Sequence, residues 1–219
     1  MKIGAVPVPI NYRLTANEIK YIVDDSKARI LVFEEALRAP VAAIKADLAV
    51  EKMIYIGAHP EGAEIGFEDF IAPGAEREPE AQVGWHDPAF IMYTSGTTGR
   101  PKGVVRSHLA ENMGSMSMAL ECGFRHDDII LNNKPLFHIA QLQIQFVPFV
   151  QLGGTNVLTR GFDVHETLSL VESERLTTLH GVPTQMVMLA AADLSKYDLS
   201  TLRCGFYGGQ TLADDVTRK

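Results

Sequence analysis

The 219-residue sequence predicts an α/β protein of two subdomains, each with a largely parallel sheet covered by helices. Short apolar runs rich in β-branched residues alternate with segments of helical periodicity along most of the chain. The connections between these segments are short, as in the βαβ crossovers that join parallel strands. We expect the first subdomain at residues 1–122 and the second at residues 123–219.

The first elements alternate between strand and helix. Residues 4–10 are expected to form a strand, because apolar side chains occupy every second position. Thr15 and Glu18 have the spacing of a capping box at the start of a helix. The pattern then predicts, in chain order, a strand at 29–33, a helix at 35–48 that is interrupted at Pro40, a strand at 52–56 and a short helix at 67–70.

A buried strand at residues 89–93 leads into the loop of residues 93–103, which reads YTSGTTGRPKG. The loop contains four serine or threonine hydroxyls, three glycines and one lysine. Glycines let the backbone approach a ligand closely, hydroxyls and main-chain N–H groups donate to phosphate oxygens, and an ammonium neutralises charge. We therefore predict a phosphate-binding loop. The alternative, a flexible linker, explains neither the lysine nor the apolar strand before the loop.

The residues at the C-terminal end of the loop distinguish it from other nucleotide-binding loops. Pro101, Gly103 and the β-branched residues 104–105 favour a turn into a second strand, whereas Rossmann and Walker loops open a helix. The Walker motif also needs a longer glycine spacing and a lysine directly after its last glycine, and this loop has neither. The loop is therefore expected at the end of a β-hairpin.

From about residue 108 the alternation becomes regular. It predicts a helix at 108–121, a strand at 128–132, a helix at 138–152, a strand at 155–159, a helix at 164–175, a strand at 177–180, a helix from Pro183 and a strand at 202–207. Thr211 and Asp214 would cap a last helix that ends almost at once, at Lys219. A chain that ends in this way is expected to be a fragment of a longer protein.

Composition limits the classes of function. Hydrophobic residues make up 46% and charged residues 21% of the chain, which is typical of a globular protein. The formal net charge of −7 argues against nucleic acid as a partner, since affinity for a polyanion comes from lysine and arginine. No apolar run approaches the roughly 20 residues of a membrane-spanning helix, and no signal-peptide pattern is present, so we expect a cytoplasmic protein. Cys122 and Cys204 lack a CxxC motif and suggest neither a zinc site nor a disulfide framework.

Five segments, in their order and spacing, resemble the adenylate-forming superfamily. They are residues 4–11 (GAVPVPIN), the loop 93–103, residues 135–138 (PLFH), residues 182–184 (VPT) and residues 208–212 (GGQTL). Within the superfamily the sequence is most similar to the fatty-acyl and aryl acyl-CoA synthetases. The resemblance covers most of the chain and corresponds to part of their N-terminal domain.

The resemblance implies a two-step reaction. A carboxylate attacks the α-phosphate of Mg-ATP to give an acyl-adenylate and pyrophosphate, and the thiol of coenzyme A then displaces AMP. The implied cofactors and co-substrates are ATP, Mg²⁺ and coenzyme A. The implied partner is a small-molecule carboxylate, and we expect a medium- or long-chain fatty acid.

The resemblance also implies roles for individual residues. The β- and γ-phosphates would be bound by Thr94, Ser95, Gly96, Thr97, Thr98 and Gly99, with Lys102 as a mobile catalytic counter-charge and Thr94 as a magnesium contact. His138 would be a catalytic residue, and Gly208, Gly209 and Gln210 would lie on the adenine side. The simpler alternatives are a helix-entry histidine at His138 and a ligand-free turn at residues 208–209.

Two departures from the family pattern concern the acyl group. Residues 139–141 (IAQ) stand where relatives usually have a glycine, and Gln210-Thr211 stand where relatives often have Ala-Pro. Both segments would border the acyl pocket, so the identity of the acid stays open. The helix at 142–150 carries Gln143 and Gln145 among apolar residues, and its apolar side could line an acyl tunnel.

Nothing in the sequence matches the family's later magnesium-binding acidic motif, its ribose-binding aspartate, its hinge or its C-terminal domain with a catalytic lysine. We therefore expect this chain by itself to be inactive. Two other hypotheses stay open: a non-catalytic nucleotide-binding remnant, and an adenylating enzyme with a different acyl acceptor. The sequence also leaves open contact with a membrane surface and the oligomeric state.

Overall fold

The computed structural model describes residues 2–74, 77–94 and 99–209. The chain divides into two compact units, Met1–Leu109 and Ala110–Lys219. The division falls near the start of the helix His108–Cys122, whereas the expected boundary after residue 122 lies at the other end of that helix. The helix expected at 211–214 lies outside the described residues.

A three-stranded parallel sheet forms the centre of the first unit. Its strands β1 (Ile30–Glu34), β2 (Lys52–Ile56) and β3 (Ile65–Gly66) are adjacent in that order. Helix α1 (Ala16–Asp25) packs on the sheet through Ile19 and Val23, which join a core containing Leu31, Phe33 and Tyr55. The predicted capping box is confirmed, since the Thr15 N–H donates to Glu18 Oε2 at 2.8 Å.

The segment predicted as a helix at 35–48 forms three short pieces instead. They are a 3₁₀ turn at Glu35–Leu37, helix α2 (Arg38–Ala42) and a 3₁₀ turn at Lys45–Asp47. Pro40 lies in the first turn of α2, where its missing N–H leaves no hydrogen bond unmade. Helix α3 (Phe67–Ile71) confirms the short predicted helix.

The strand predicted at residues 4–10 is wrong. The residues contribute one described hydrogen bond to the neighbouring strand, from the Ile91 N–H to the Pro7 carbonyl at 3.2 Å. Pro7 and Pro9 have no N–H to donate, so a regular ladder cannot form along this segment.

A two-stranded antiparallel hairpin completes the first unit. Strand β4 (Pro88–Tyr93) pairs with β5 (Gly103–Ser107), and the last pair before the connecting loop is Tyr93 with Gly103. The prediction that the loop lies at the end of a hairpin is confirmed.

The second unit contains a four-stranded sheet in which every pairing is parallel. Its strands β6 (Ile129–Asn132), β7 (Thr155–Leu158), β8 (Thr178–Gly181) and β9 (Cys204–Tyr207) are arranged in the order β7-β6-β8-β9. The helices of this part of the chain are α4 (His108–Cys122), α5 (Ile139–Gln141), α6 (Val147–Leu152), α7 (Val164–Ser173) and α8 (Pro183–Ala191). A core of Leu131, Leu168, Val171, Leu176, Leu179 and Leu189 lies between the sheet and helices α7 and α8.

The single helix predicted at 138–152 is interrupted by a π-helical segment. Residues Leu142–Phe146 form this segment between α5 and α6. Pro148 lies at the start of α6 and has no N–H to donate to the carbonyl four residues earlier, which disfavours a continuous α-helical ladder. π-helical turns occur frequently at functional sites.

Within the described ranges, no helix is both long and apolar enough to cross a bilayer. Cys122 and Cys204 are both free thiols.

Candidate active site

One candidate region, within the first unit, is the loop between β4 and β5. The Thr94 N–H donates to the Lys102 carbonyl at 3.1 Å, which extends the hairpin by one hydrogen bond beyond the Tyr93–Gly103 pair. Gly99 has φ +124°, a conformation that L side chains rarely adopt, and a Cβ placed there would meet no atom of the described residues within 4 Å. The backbone at Gly99 is therefore open to close approach by a ligand. Ser95, Gly96, Thr97 and Thr98 lie outside the described residues.

Helix α1 holds both ends of the loop. On the incoming side, Tyr93 Oη donates to Asp25 Oδ2 at 2.6 Å. On the outgoing side, Tyr21 Oη donates to the Pro101 carbonyl at 3.1 Å. Burial and the neighbouring Asp25 carboxylate raise the pKa of Tyr93, so its phenol stays a donor. The sequence prediction missed Tyr21 and Asp25; their i,i+4 spacing on a helix was the available signal.

A separate candidate region, within the second unit, is the carboxyl edge of its parallel sheet. Residues after β6, β8 and β9 meet at this edge, where α/β proteins commonly bind ligands. Gly208 directly follows β9, and a Cβ placed on it would lie 3.9 Å from His180 Nε2. Gly209 has φ +98°, and a Cβ placed on it would lie more than 4 Å from every atom in the described part of the chain. Gln210 lies outside the described residues.

His138 precedes α5 and is exposed. Its carbonyl accepts from the N–H groups of Gln141 and Leu142, at 3.1 and 3.0 Å. Its ring contacts Phe137 with centroids 4.5 Å apart. The imidazole therefore lies at a helix start, accessible from solvent, and its predicted catalytic role stays a prediction.

A cluster of buried amides lies behind this edge and was missed by the sequence prediction. We call Asn132, Gln141, Gln145, Asn156 and His180 the amide cluster. Gln141 and Gln145 are 0% exposed, and His180 is 7% exposed. Gln141 Nε2 donates to Asn132 Oδ1, Asn132 Nδ2 donates to Asn156 Oδ1 at 2.8 Å, and Gln145 Nε2 lies 2.7 Å from His180 Nδ1.

Gln143 is also buried, and its Nε2 donates to Glu111 Oε1 at 2.8 Å. The available signal was the i,i+4 spacing of Gln141 and Gln145 within an apolar segment, because a buried amide must find hydrogen-bond partners.

Lys134, between β6 and the PLFH segment, was also missed. Its Nζ donates to Asn133 Oδ1 and to the His180 carbonyl, both at 3.0 Å. Burial lowers the pKa of Lys134 to about 8. Burial and then the Lys134 charge lower the pKa of His180 to about 3. His180 is therefore a neutral imidazole at pH 7.

The neutral state of His180 predicts acid lability. A buried histidine with a folded-state pKa of about 3, against about 6.5 for an unperturbed histidine, adds stability that is fully present above pH 6.5 and is lost as the pH falls toward 3. At about pH 4.5 the loss amounts to roughly 3 kcal/mol. Urea unfolding at about pH 7 and pH 4.5 measures how much unfolding free energy is lost between these two pH values. We expect the loss to be smaller by this amount in His180→Asn than in the unmodified protein. Equal pH dependence in the two proteins would contradict a buried neutral His180.

The comparisons with known proteins decide the family. The sequence model of a protein family, described as "AMP-binding enzyme", matches residues 1–219. The chain belongs to the AMP-binding enzyme family. The segments quoted from the sequence as resembling adenylate-forming enzymes, and the α/β fold expected from them, are confirmed by this match and by the solved structures.

Three relatives of this AMP-binding chain are named for their reactions. A feruloyl-CoA synthase of Amycolatopsis is 36% identical over 98% of this chain and 41% of its own length. A long-chain-fatty-acid–CoA ligase of Mycobacterium tuberculosis is 31% identical over 99% of this chain and 42% of its own length. The crystal structure of an anthranilate CoA ligase in complex with anthranoyl-AMP has a TM-score of 0.89 and 28% identity, over 98% of this chain and 42% of its own. The chain thus spans about two fifths of the length of these relatives.

Proposed function

We propose that the protein is an ATP-dependent acid–CoA ligase. It activates a carboxylate as an acyl-adenylate with release of pyrophosphate, and it transfers the acyl group to the thiol of coenzyme A. The observation that carries the proposal is the donor-rich hairpin loop, which is open at Gly99 and held at both ends by α1, in a chain that matches the AMP-binding family throughout. The anthranoyl-AMP complex of a relative supports the adenylate step.

The loop suits the phosphate groups of ATP. Hydroxyls and N–H groups of residues 94–99 bind the β- and γ-phosphates, and Lys102 neutralises charge that develops on the departing pyrophosphate. Mg²⁺ usually binds through a few protein oxygens together with substrate phosphates, and the exposed Thr94 fits that mode as one oxygen ligand. When bound, Mg²⁺ would supply further neutralisation of the phosphate charge.

The carboxyl edge of the second sheet suits the organic parts of the substrates. Gly208 and Gly209 leave room for the planar adenine against the backbone, with Gln210 following them. His138, accessible at the start of α5, stands on the acyl side. The cytoplasmic location stays a prediction.

The expectation of a medium- or long-chain fatty acid also stays a prediction. The relative that acts on long-chain fatty acids supports it, whereas the feruloyl-CoA synthase and the anthranilate CoA ligase favour an aromatic acid. A different acyl acceptor is the second candidate function, supported by a fatty acid–[acyl-carrier-protein] ligase of Streptomyces coeruleorubidus at 35% identity.

The test uses the protein expressed with any further sequence that its gene encodes. With ATP, Mg²⁺, coenzyme A and a panel of fatty and aromatic acids, we expect stoichiometric AMP, pyrophosphate and acyl-CoA. Omission of coenzyme A should leave pyrophosphate release and an enzyme-bound acyl-adenylate. Release of ADP in place of AMP would reject the proposal, and ATP binding without pyrophosphate from any acid would establish a non-catalytic module.

A further inference from the structure

We propose that His180 determines which acids the protein accepts. Its Nε2–H group donates a hydrogen bond to an oxygen substituent on the organic part of the acid, such as a hydroxyl, alkoxy or carbonyl oxygen. The residue thereby selects oxygen-bearing acids over plain hydrocarbon acids of the same size. This inference rests on the proposed ligase function and names the substrate class of that site.

The hydrogen bonds of Gln145 fix which ring nitrogen of His180 carries the proton. Gln145 Nε2 donates to the Ala140 carbonyl at 3.2 Å, so the amide nitrogen, and not the amide oxygen, must occupy this position. The same nitrogen lies 2.7 Å from His180 Nδ1. An amide nitrogen can only donate, so Nδ1 must accept, and the neutral imidazole carries its proton on Nε2.

The Nε2–H group points to the carboxyl edge of the sheet. A Cβ placed on Gly208 would lie 3.9 Å from Nε2. The His180 ring contacts the ring of Phe206, on the strand that leads to Gly208, with centroids 4.7 Å apart and planes tilted by 48°. Within the described part of the chain, no group accepts a hydrogen bond from Nε2. The donor is thus turned away from the amide cluster and toward the glycines.

The position of His180 connects it to the acid. Gln145, on one side of the ring, belongs to the π-helical segment that we expect to border the acyl group. Gly208, on the other side, belongs to the segment assigned to the adenine, whose next residues, 210–211, are expected to border the acyl pocket. The ring would therefore face the place where the acyl and adenylate parts of the intermediate meet. Since the ring is neutral at pH 7, it is suited to an uncharged oxygen better than to a carboxylate.

The cost of an unpaired donor provides the selection. A hydrocarbon chain placed against Nε2–H would remove water from the donor and offer no acceptor. Sites built to hydrogen-bond a substrate oxygen therefore reject analogues that lack it much more strongly than apolar pockets distinguish a methyl group. Gln145 acts as a positioning residue, because it determines on which nitrogen the proton lies.

The experiment compares matched acids, 4-hydroxycinnamate with 4-methylcinnamate and 8-hydroxyoctanoate with nonanoate, by the kcat/KM for pyrophosphate release. We expect the oxygen-bearing member of at least one pair to be preferred by about 100-fold or more. His180→Gln keeps a donor near the Nε2 position and should retain most of the preference. His180→Asn keeps the acceptor for Gln145 but has no group at the Nε2 position. In this variant the ratio of kcat/KM between the two acids of a pair should fall to nearly one.

Four results would overturn the proposal. One is equal or inverted preference in the unmodified protein for both pairs. Another is an equal loss for both members of a pair in His180→Asn, which would place His180 against the nucleotide. A third is an Nδ1–H tautomer of His180 by ¹⁵N NMR, which can be measured without any activity. Absence of pyrophosphate with every acid would reject the ligase proposal itself, and the specificity role with it.

Discussion

Replacing Lys102 with alanine is expected to lower the kcat of acyl-adenylate formation by about 100- to 1000-fold. Lys102 directly precedes β5, and its carbonyl accepts from the Thr94 N–H at 3.1 Å, so its backbone belongs to the closed end of the hairpin. The variant should keep this backbone contact and lose only the ammonium. Because the charge on the departing pyrophosphate grows in the transition state, the loss should fall on kcat more than on the KM for ATP.

The measurement is single-turnover release of pyrophosphate with saturating ATP and acid. Lys45→Ala is the matched control, since Lys45 is an exposed lysine in the same unit and lies in a 3₁₀ turn away from the hairpin. It should retain the activity of the unmodified protein. Thr97→Ala provides a second test of the loop. Unchanged adenylation rates and unchanged ATP affinity in both Lys102→Ala and Thr97→Ala would contradict the proposal that this loop binds the phosphates of ATP.

Asp128→Ala is expected to destabilise the second unit by about 2–4 kcal/mol. Asp128 directly precedes β6 and is 2% exposed. It accepts from Arg203 Nε at 3.2 Å and from Arg203 Nη2, from Thr177 Oγ1 at 2.7 Å and from the Arg125 N–H at 2.7 Å. These bonds join the starts of three neighbouring strands, and the variant would leave the Thr177 hydroxyl, the Arg125 N–H and the partly exposed Arg203 guanidinium without their shared acceptor.

Burial alone would raise the pKa of Asp128, but the hydrogen bonds from Arg203, Thr177 and Arg125 outweigh it and hold the pKa below its ordinary value. The stabilisation is therefore present above about pH 4 and is lost as the pH falls through the lowered pKa. Urea unfolding at pH 7 measures the effect. The matched control is Asp193→Ala, whose exposed ion pair with Lys196 at 3.4 Å should change the unfolding free energy by less than about 1 kcal/mol. Similar small losses in both variants would show that Asp128 does not stabilise the unit.

The sequence indicated the proposed phosphate-binding loop more completely than the residues proposed to border the acyl group. The loop 93–103 is a local feature, because glycines, hydroxyls and a lysine in one segment describe a binding loop whatever surrounds them. The β-branched residues after it correctly predicted a hairpin. Tyr21 and Asp25, which hold the loop ends, lie more than 60 residues away in the chain, as the Tyr93–Asp25 separation of 68 residues shows. Only folding brings them to the loop.

Local patterns failed where hydrogen bonding or a distant partner decided the outcome. Alternating apolar residues at 4–10 suggested a strand, but two prolines removed the donors that a ladder needs. The apolar periodicity of 138–152 suggested one helix, but Pro148 and the buried glutamines accompany a π-helical segment within it.

By itself, the sequence determined the α/β class, the order of most strands and helices, the capping box of α1 and the hairpin-borne loop, because periodicity, proline and glycine act over a few residues. The tertiary structure alone decided that Gln145, 35 residues from His180, holds that ring in one tautomer. It also decided that the Lys134 ammonium donates to the His180 carbonyl. These contacts depend on parallel strands that meet at one edge of a sheet. The protonation state of a side chain follows from the burial and the partners it finds there, which no local pattern contains.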